Sequence, residues 1–201
     1  SFSDRNLILF IGQVIRGKGV DLLLRALAKV KVPFEASILG EGNHRPYCER
    51  LCAKLGLQDR VRFHGFVPSA QLTNFYIKAS LLAVSSVWPE PFGLVGQEAM
   101  FHGLPVVGFD SGGIREWLLH GENGFLVPWK DIDGLAARIE QLLRDKELAR
   151  KLGSRGRELV SQQQAISDQN CPIEQMLLRV VRESRPSLEP QPRMEANATS
   201  L

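Results

Sequence analysis

Six short apolar runs recur along this chain with helical patterns between them, and that alternation limits the fold more than any other feature. The runs are Leu7–Val14, Phe34–Leu39, Val61–Phe66, Leu81–Ser85, Pro105–Phe109 and Gly124–Pro128. Several are continuous rather than alternating, most clearly Leu7-Ile8-Leu9-Phe10-Ile11. A strand with one wet face alternates apolar and polar residues, whereas a continuous run suits a strand covered on both faces of a parallel sheet. Between the runs, Val20, Leu23, Leu24 and Leu27 fall at i, i+3, i+4 and i+7, and Ile132, Leu135, Ala136, Ile139 and Leu143 repeat the pattern. Such spacing draws one apolar stripe down a helix. Cys48–Leu55, Ser69–Ala79, Gly93–His102 and Gly113–Leu119 fill the remaining gaps as expected helices. Strands alternating with helices predict an α/β fold: a Rossmann-like, doubly wound parallel sheet of about six strands.

The C-terminal part reads differently. Asp145–Gln164 is a charged helical stretch and Cys171–Glu183 fits one more helix. From Ser184, Pro186, Pro190 and Pro192 stand among polar residues, a composition that predicts disorder. The expected division is therefore a domain over residues 1–183 and a tail over 184–201. Asn197-Ala198-Thr199 matches a glycosylation acceptor pattern, but chance explains it better in such a tail.

A chain of 201 residues holds one sizeable domain, and a hydrophobic share of 44% is enough to pack it. The formal charge of +3 is mild and its basic residues are scattered, which argues against a nucleic-acid partner but allows an anionic small ligand. Cys48 and Cys52 share a helix face, and neither they nor Cys171 have a His or further Cys at metal-ligand spacing. Semi-buried thiols in a reducing compartment account for them better than zinc or a disulfide. No signal peptide is visible, and no apolar run approaches the roughly 20 residues of a membrane span, so a cytoplasmic location is expected. An acceptor at a membrane surface stays compatible. The first residues enter a strand almost at once, which reads as the start of a fragment.

In an open α/β sheet, ligands bind beyond the carboxyl ends of the strands, so the chemistry is sought just after each apolar run. After the first comes Gly12-Gln13-Val14-Ile15-Arg16-Gly17-Lys18-Gly19, which brings two cations to a helix start. A helix N-terminus favours a phosphate. The spacing is neither a P-loop nor GxGxxG, and taken alone a basic loop is more often solvated surface. After the fourth comes Trp88-Pro89-Glu90-Pro91-Phe92-Gly93-Leu94-Val95, with Glu98 one turn farther on. The Pro91 and Gly93 entry leaves backbone N–H groups around Phe92 to Val95 without helical partners, a phosphate cradle. Glu98 lies deeper in that helix, where a carboxylate can accept two hydrogen bonds from a vicinal diol such as a ribose. Glu90 is expected to meet sugar hydroxyls, because phosphate would repel it. After the fifth come Gly112 and Gly113, which offer a second set of N–H groups or a plain turn. After the third, Val67 offers an apolar wall for a base, and His64 reads as a structural histidine with a satisfied hydrogen bond.

Taken together, Gly12…Lys18-Gly19, Val61-Arg62-Phe63-His64-Gly65, Glu90-Pro-Phe-Gly…Glu98-Ala-Met…Gly103-Leu-Pro-Val-Val and Gly112-Gly113-Ile-Arg-Glu116 resemble the C-terminal, donor-binding domain of the retaining GT-B glycosyltransferases of family 4. The likeness runs from about Leu7 to about Val160. It implies one half of a GT-B fold and a retaining transfer from a nucleotide-diphosphate sugar, with no metal and no cofactor. It also implies roles. Glu98 holds the ribose and Glu90 the donor sugar. Phe92, Gly93 and Leu94 offer amides, with Val95 beside them. Lys18 meets the diphosphate, Val67 lines the base pocket, and Gly12 and Gln13 form the loop beside the donor. That family usually has Arg where Gln13 stands, and Arg16 is expected to supply the charge instead. Catalytic roles thus fall to Glu90, Lys18 and Arg16. The acceptor site belongs to an N-terminal domain this chain does not include, so the chain alone is expected to bind nucleotide weakly and to transfer nothing. The alternatives are a natural donor-binding subunit of a split enzyme and, more distantly, a sugar-nucleotide epimerase. A dinucleotide oxidoreductase is disfavoured by the missing GxGxxG.

Overall fold

In a computed structural model, the described residues are 6–91 and 93–169, with side chains described through 162. Six strands form one parallel sheet: β1 (Leu7–Ile11), β2 (Glu35–Leu39), β3 (Val61–Gly65), β4 (Leu81–Val84), β5 (Val106–Phe109) and β6 (Gly124–Val127). Their order across the sheet is β3-β2-β1-β4-β5-β6. The helices are α1 (Val20–Leu27), α2 (Arg45–Lys54), α3 (Ser69–Lys78), α4 (Leu94–Phe101), α5 (Ile132–Arg144) and α6 (Lys146–Gln169).

The continuous apolar runs are explained by two cores, one on each face. Successive strand residues point to opposite faces. Ile8 and Phe10 accordingly join Leu23, Leu24, Leu27 and Ile139 in one cluster. Leu9 joins Leu82, Met100 and Leu118 in the other. Burying a leucine fully stabilises the fold by about 1.5–3 kcal/mol, so the stripe of α1 anchors that helix to its face. Cys48 and Cys52 are buried on α2, and burial pushes the Cys48 thiol up to about 12, so it stays protonated.

Element ends depart from expectation where tertiary contacts intervene. β1 stops at Ile11, and Val14 is buried off the sheet, its N–H donating to the Glu41 carbonyl at 2.8 Å. The helix expected over Gly113–Leu119 is a single 3-10 turn, Gly113–Glu116. The chain divides into two compact units, Ser1–Gln163 and Gln164–Leu201. Of the second, the described part is the end of α6. Residue 183, the helix expected over Cys171–Glu183 and the tail beyond lie outside the described residues. Among the described residues no helix is long and apolar enough to cross a membrane.

Candidate functional site

The chain leaves β1 toward β2 and β3, then returns to β4 and proceeds the other way through β5 and β6. Loops that depart in opposite directions from neighbouring strands open a crevice between them. A cavity of about 440 Å³ lies there, lined by Ile11 and Gly12 after β1, Val84 and Ser85 at the end of β4, and Gly93, Leu94 and Val95 at the start of α4. Its charged lining residues are Lys18, Glu90 and Glu98.

Lys18 reaches this cavity from a short 3-10 turn, Arg16–Lys18, that packs on the loop after β4. Two serines that sequence reading passed over hold it there. Buried Ser85 donates its hydroxyl to the Lys18 carbonyl at 3.0 Å, and buried Ser86 donates to the Gly17 carbonyl at 3.1 Å. The N–H groups of Val87 and Trp88 also donate to Gly17, at 2.9 and 3.1 Å. The backbone at Lys18 is thereby fixed, and its ammonium pairs with the Glu90 carboxylate. The Glu90 side chain is 11% exposed, the Lys18 side chain 31%. Lys18 and Glu90, read from the sequence as separate contacts, are thus partners of each other.

Glu90 is held through its backbone by the loop after β5. The Gly113 N–H donates to the Glu90 carbonyl at 2.7 Å, and the Ser111 hydroxyl donates to the Trp88 carbonyl at 2.7 Å. A side chain at Gly112 would put its Cβ 2.6 Å from both the nitrogen and the oxygen of Glu90, so only glycine permits the approach. Of the two outcomes the sequence leaves open for Gly112 and Gly113, a second set of free N–H groups or a plain turn, the contact at Gly113 follows the turn. The Gly113 N–H is spent on Glu90, and the segment bends into one 3-10 turn around that contact.

The helix α4 begins at Gly93 without a side-chain cap, which leaves its first N–H groups turned to the cavity. Trp117 packs directly beneath. A Cβ at Gly96 would lie 2.1 Å from the Trp117 ring, and among the described residues the buried indole Nε1 has no hydrogen-bond partner. Gly96→Ala is expected to destabilise the fold by about 1–3 kcal/mol through overpacking against an indole with little room to retreat. A urea melt checks this, and an unchanged midpoint would refute it. Phe92, expected to offer an amide here, lies outside the described residues.

Glu98 lines the cavity from the next turn of α4 and accepts a hydrogen bond from Tyr76 Oη at 2.9 Å. Tyr76 sits on α3, is 2% exposed, and stacks on His102 with ring centroids 4.9 Å apart. Burial, then the hydrogen bond to Glu98, pushes the phenol well above its ordinary range, so it remains a donor. No sequence signal pointed to Tyr76, which is 22 residues from Glu98.

A second cavity of about 370 Å³ shares Ile11, Gly12 and Gln13 with the first and is walled by Phe66, Val67 and Leu72. Val67 is therefore placed on an apolar wall beyond the Gly12-Gln13 loop. His64 Nε2 lies 3.1 Å from Ser37 Oγ, and burial, then Arg62, lowers its pKa, in keeping with a structural histidine. Arg16 is exposed and lines neither cavity.

The sequence pattern of the family described as "Glycosyl transferases group 1" matches residues 1–159. An uncharacterised glycosyltransferase of Methanocaldococcus jannaschii is 38% identical over 144 residues, covering 71% of this chain and 37% of that protein. The N-acetyl-alpha-D-glucosaminyl L-malate synthase of Bacillus anthracis is 35% identical over 167 residues, covering 80% of this chain and 42% of that protein. Among solved structures, Anabaena HepE in complex with UDP and glucose superposes with a TM-score of 0.78 at 30% identity, over 88% of this chain and 49% of that one. Sucrose-phosphate synthase of Thermosynechococcus elongatus gives 0.78 at 33% identity, over 90% of this chain and 47% of that one. This chain spans between about a third and a half of the length of most of the curated relatives it matches, and 16% of one longer protein.

Proposed function

The chain belongs to the glycosyl transferases group 1 family, and from that premise we propose that its crevice is the donor site of a retaining, family 4 transfer from a nucleotide-diphosphate sugar. The observation that carries the reading is one cavity, at the β1–β4 switch point, that gathers Lys18, Glu90, Glu98 and the uncapped start of α4. In this reading the diphosphate lies on the N–H groups of Gly93, Leu94 and Val95, with its charge met by Lys18. Glu98 accepts from the ribose hydroxyls. The base lies past Gly12 and Gln13 against Val67. Arg16 stands outside both cavities, so we assign the cationic role to Lys18 alone.

Before the donor arrives, Glu90 holds Lys18 in place. The incoming diphosphate takes over the ammonium, and the sugar hydroxyls become the donors to Glu90. The bond from the anomeric carbon to the diphosphate oxygen breaks, and a bond to the acceptor oxygen forms on the same face. The acceptor proton passes to the departing phosphate oxygen. Lys18 and the α4 dipole stabilise the charge that grows there, in place of a metal. The acceptor is held by a second, N-terminal half of the enzyme. A chain that spans about a third to a half of most of its relatives leaves room for such a second half, and turnover requires both.

The test is a thermal-shift panel on this chain with UDP, GDP, ADP and their common sugar conjugates. A ligand at 100 times its Kd adds about 2.7 kcal/mol, which for a domain of this size raises Tm by about 5–10 °C. One base is expected to give that shift. A shift with NAD and with none of the diphosphates would overturn the proposal.

A further inference from the structure

Glu98 stands on the exposed side of α4, where a glutamate alone would sample many rotamers. Its carboxylate is nonetheless tied at one oxygen, Oε2, to a buried phenol. The Tyr76 ring packs in the core with Leu9, Leu39, Leu82 and Met100, and His102 stacks on it. The donor is thus delivered from the opposite helix, α3, through the wall of the cavity. We propose that Tyr76 is a positioning residue: its hydroxyl clamps Glu98 Oε2 so that Oε1 faces the crevice in one orientation for a ribose diol. This rests on the assignment of Glu98 to the ribose given above. A carboxylate pinned at one oxygen has surrendered its side-chain entropy before the ligand arrives, so that cost no longer falls on binding. The phenol stays neutral and donating across the working pH range, because burial and Glu98 both oppose its ionisation.

The experiment measures, by titration calorimetry on the full chain, the affinity of the diphosphate selected above and of its 2′-deoxy form (UDP against dUDP, for example). Wild type is expected to prefer the ribose form. Tyr76→Phe keeps the ring and its stacking and removes only the donor. It should weaken the ribose diphosphate on the order of tenfold, the effect of one hydrogen bond to a charged group, and bring the ribose-to-deoxyribose ratio close to one. Adding Tyr76→Phe to Glu98→Gln should then change the ratio little further, since both act through one carboxylate. If Tyr76→Phe is folded and keeps the wild-type ratio, the positioning role is refuted while the ribose assignment stands. If wild type shows no preference and Glu98→Gln changes nothing, both fall.

A second measurement does not depend on the Phe variant folding. The chain has two tyrosines, so 3-fluorotyrosine in a Tyr47→Phe background reports residue 76 alone. Its fluorine resonance is expected to move on saturation with the diphosphate, and to stop responding in Glu98→Gln. A resonance indifferent to the nucleotide in the otherwise wild-type chain would overturn the clamp.

Discussion

Lys18→Ala is expected to weaken nucleoside diphosphate binding by about 10- to 100-fold, the effect of losing a hydrogen bond between charged groups, and to leave binding of the bare nucleoside unchanged. Lys18 is the cation that lines the crevice, and its backbone is fixed by Ser85 and Ser86 rather than by the ligand. Removing the ammonium has two consequences of the same sign. The phosphates lose a donor, and Glu90, no longer paired, presents its negative charge to them. Glu90→Gln in the Lys18→Ala background should therefore recover part of the lost affinity, because it removes the second consequence and not the first. Calorimetric titration with the diphosphate and with the nucleoside checks both statements. Equal loss for both ligands would mean that Lys18 acts on the fold of the loop and not on the phosphates.

Gly19→Ala is expected to lower stability by about 3 kcal/mol, a drop in Tm of about 6–12 °C for a domain of this size. Two costs combine. Gly19 has φ +63°, where a non-glycine residue costs about 1–2 kcal/mol. Its Cβ would also lie 2.0 Å from the Ser85 carbonyl oxygen, a backbone atom that cannot swing aside. Gly56 separates these costs. It has φ +68° with nothing within 4 Å of its Cβ position, so Gly56→Ala should show the conformational cost alone. If the two alanine variants melt together, the contact with Ser85 carries no energy. If Gly19→Ala melts lower, as expected, it should also weaken diphosphate binding, because the displaced turn is the one that holds Lys18.

The contact at Gly19 also marks where sequence reading stopped. That a glycine-rich basic loop follows the first strand was legible, since Gly12, Gly17 and Gly19 stand beside Lys18 in the chain. What presses on that loop was not, because Ser85 and Ser86 are far away in sequence and look like ordinary polar residues at the end of a strand. The same holds at Glu90. Its place before a Pro-Phe-Gly turn could be read locally, but its ion pair with Lys18 spans 72 positions. Gly112 and Gly113 carry a local signal that fits free N–H groups and a plain turn equally well. The Gly113 N–H and the missing side chains of both glycines let the loop after β5 close on Glu90.

By itself, the sequence determined the sheet. Continuous apolar strands and helices with one apolar stripe can be satisfied by little other than a parallel sheet covered on both faces, and each of those patterns is a property of neighbouring residues. It also determined that the functional groups would cluster, since all of them follow strands and strand ends converge at one edge. The tertiary structure decided which groups touch. The pairing of Lys18 with Glu90 and of Tyr76 with Glu98 depends on the order of strands across the sheet, which sets β1 beside β4 and brings α3 behind α4. That order is fixed by long-range packing, and side chains far apart in the chain acquire their partners only once it exists.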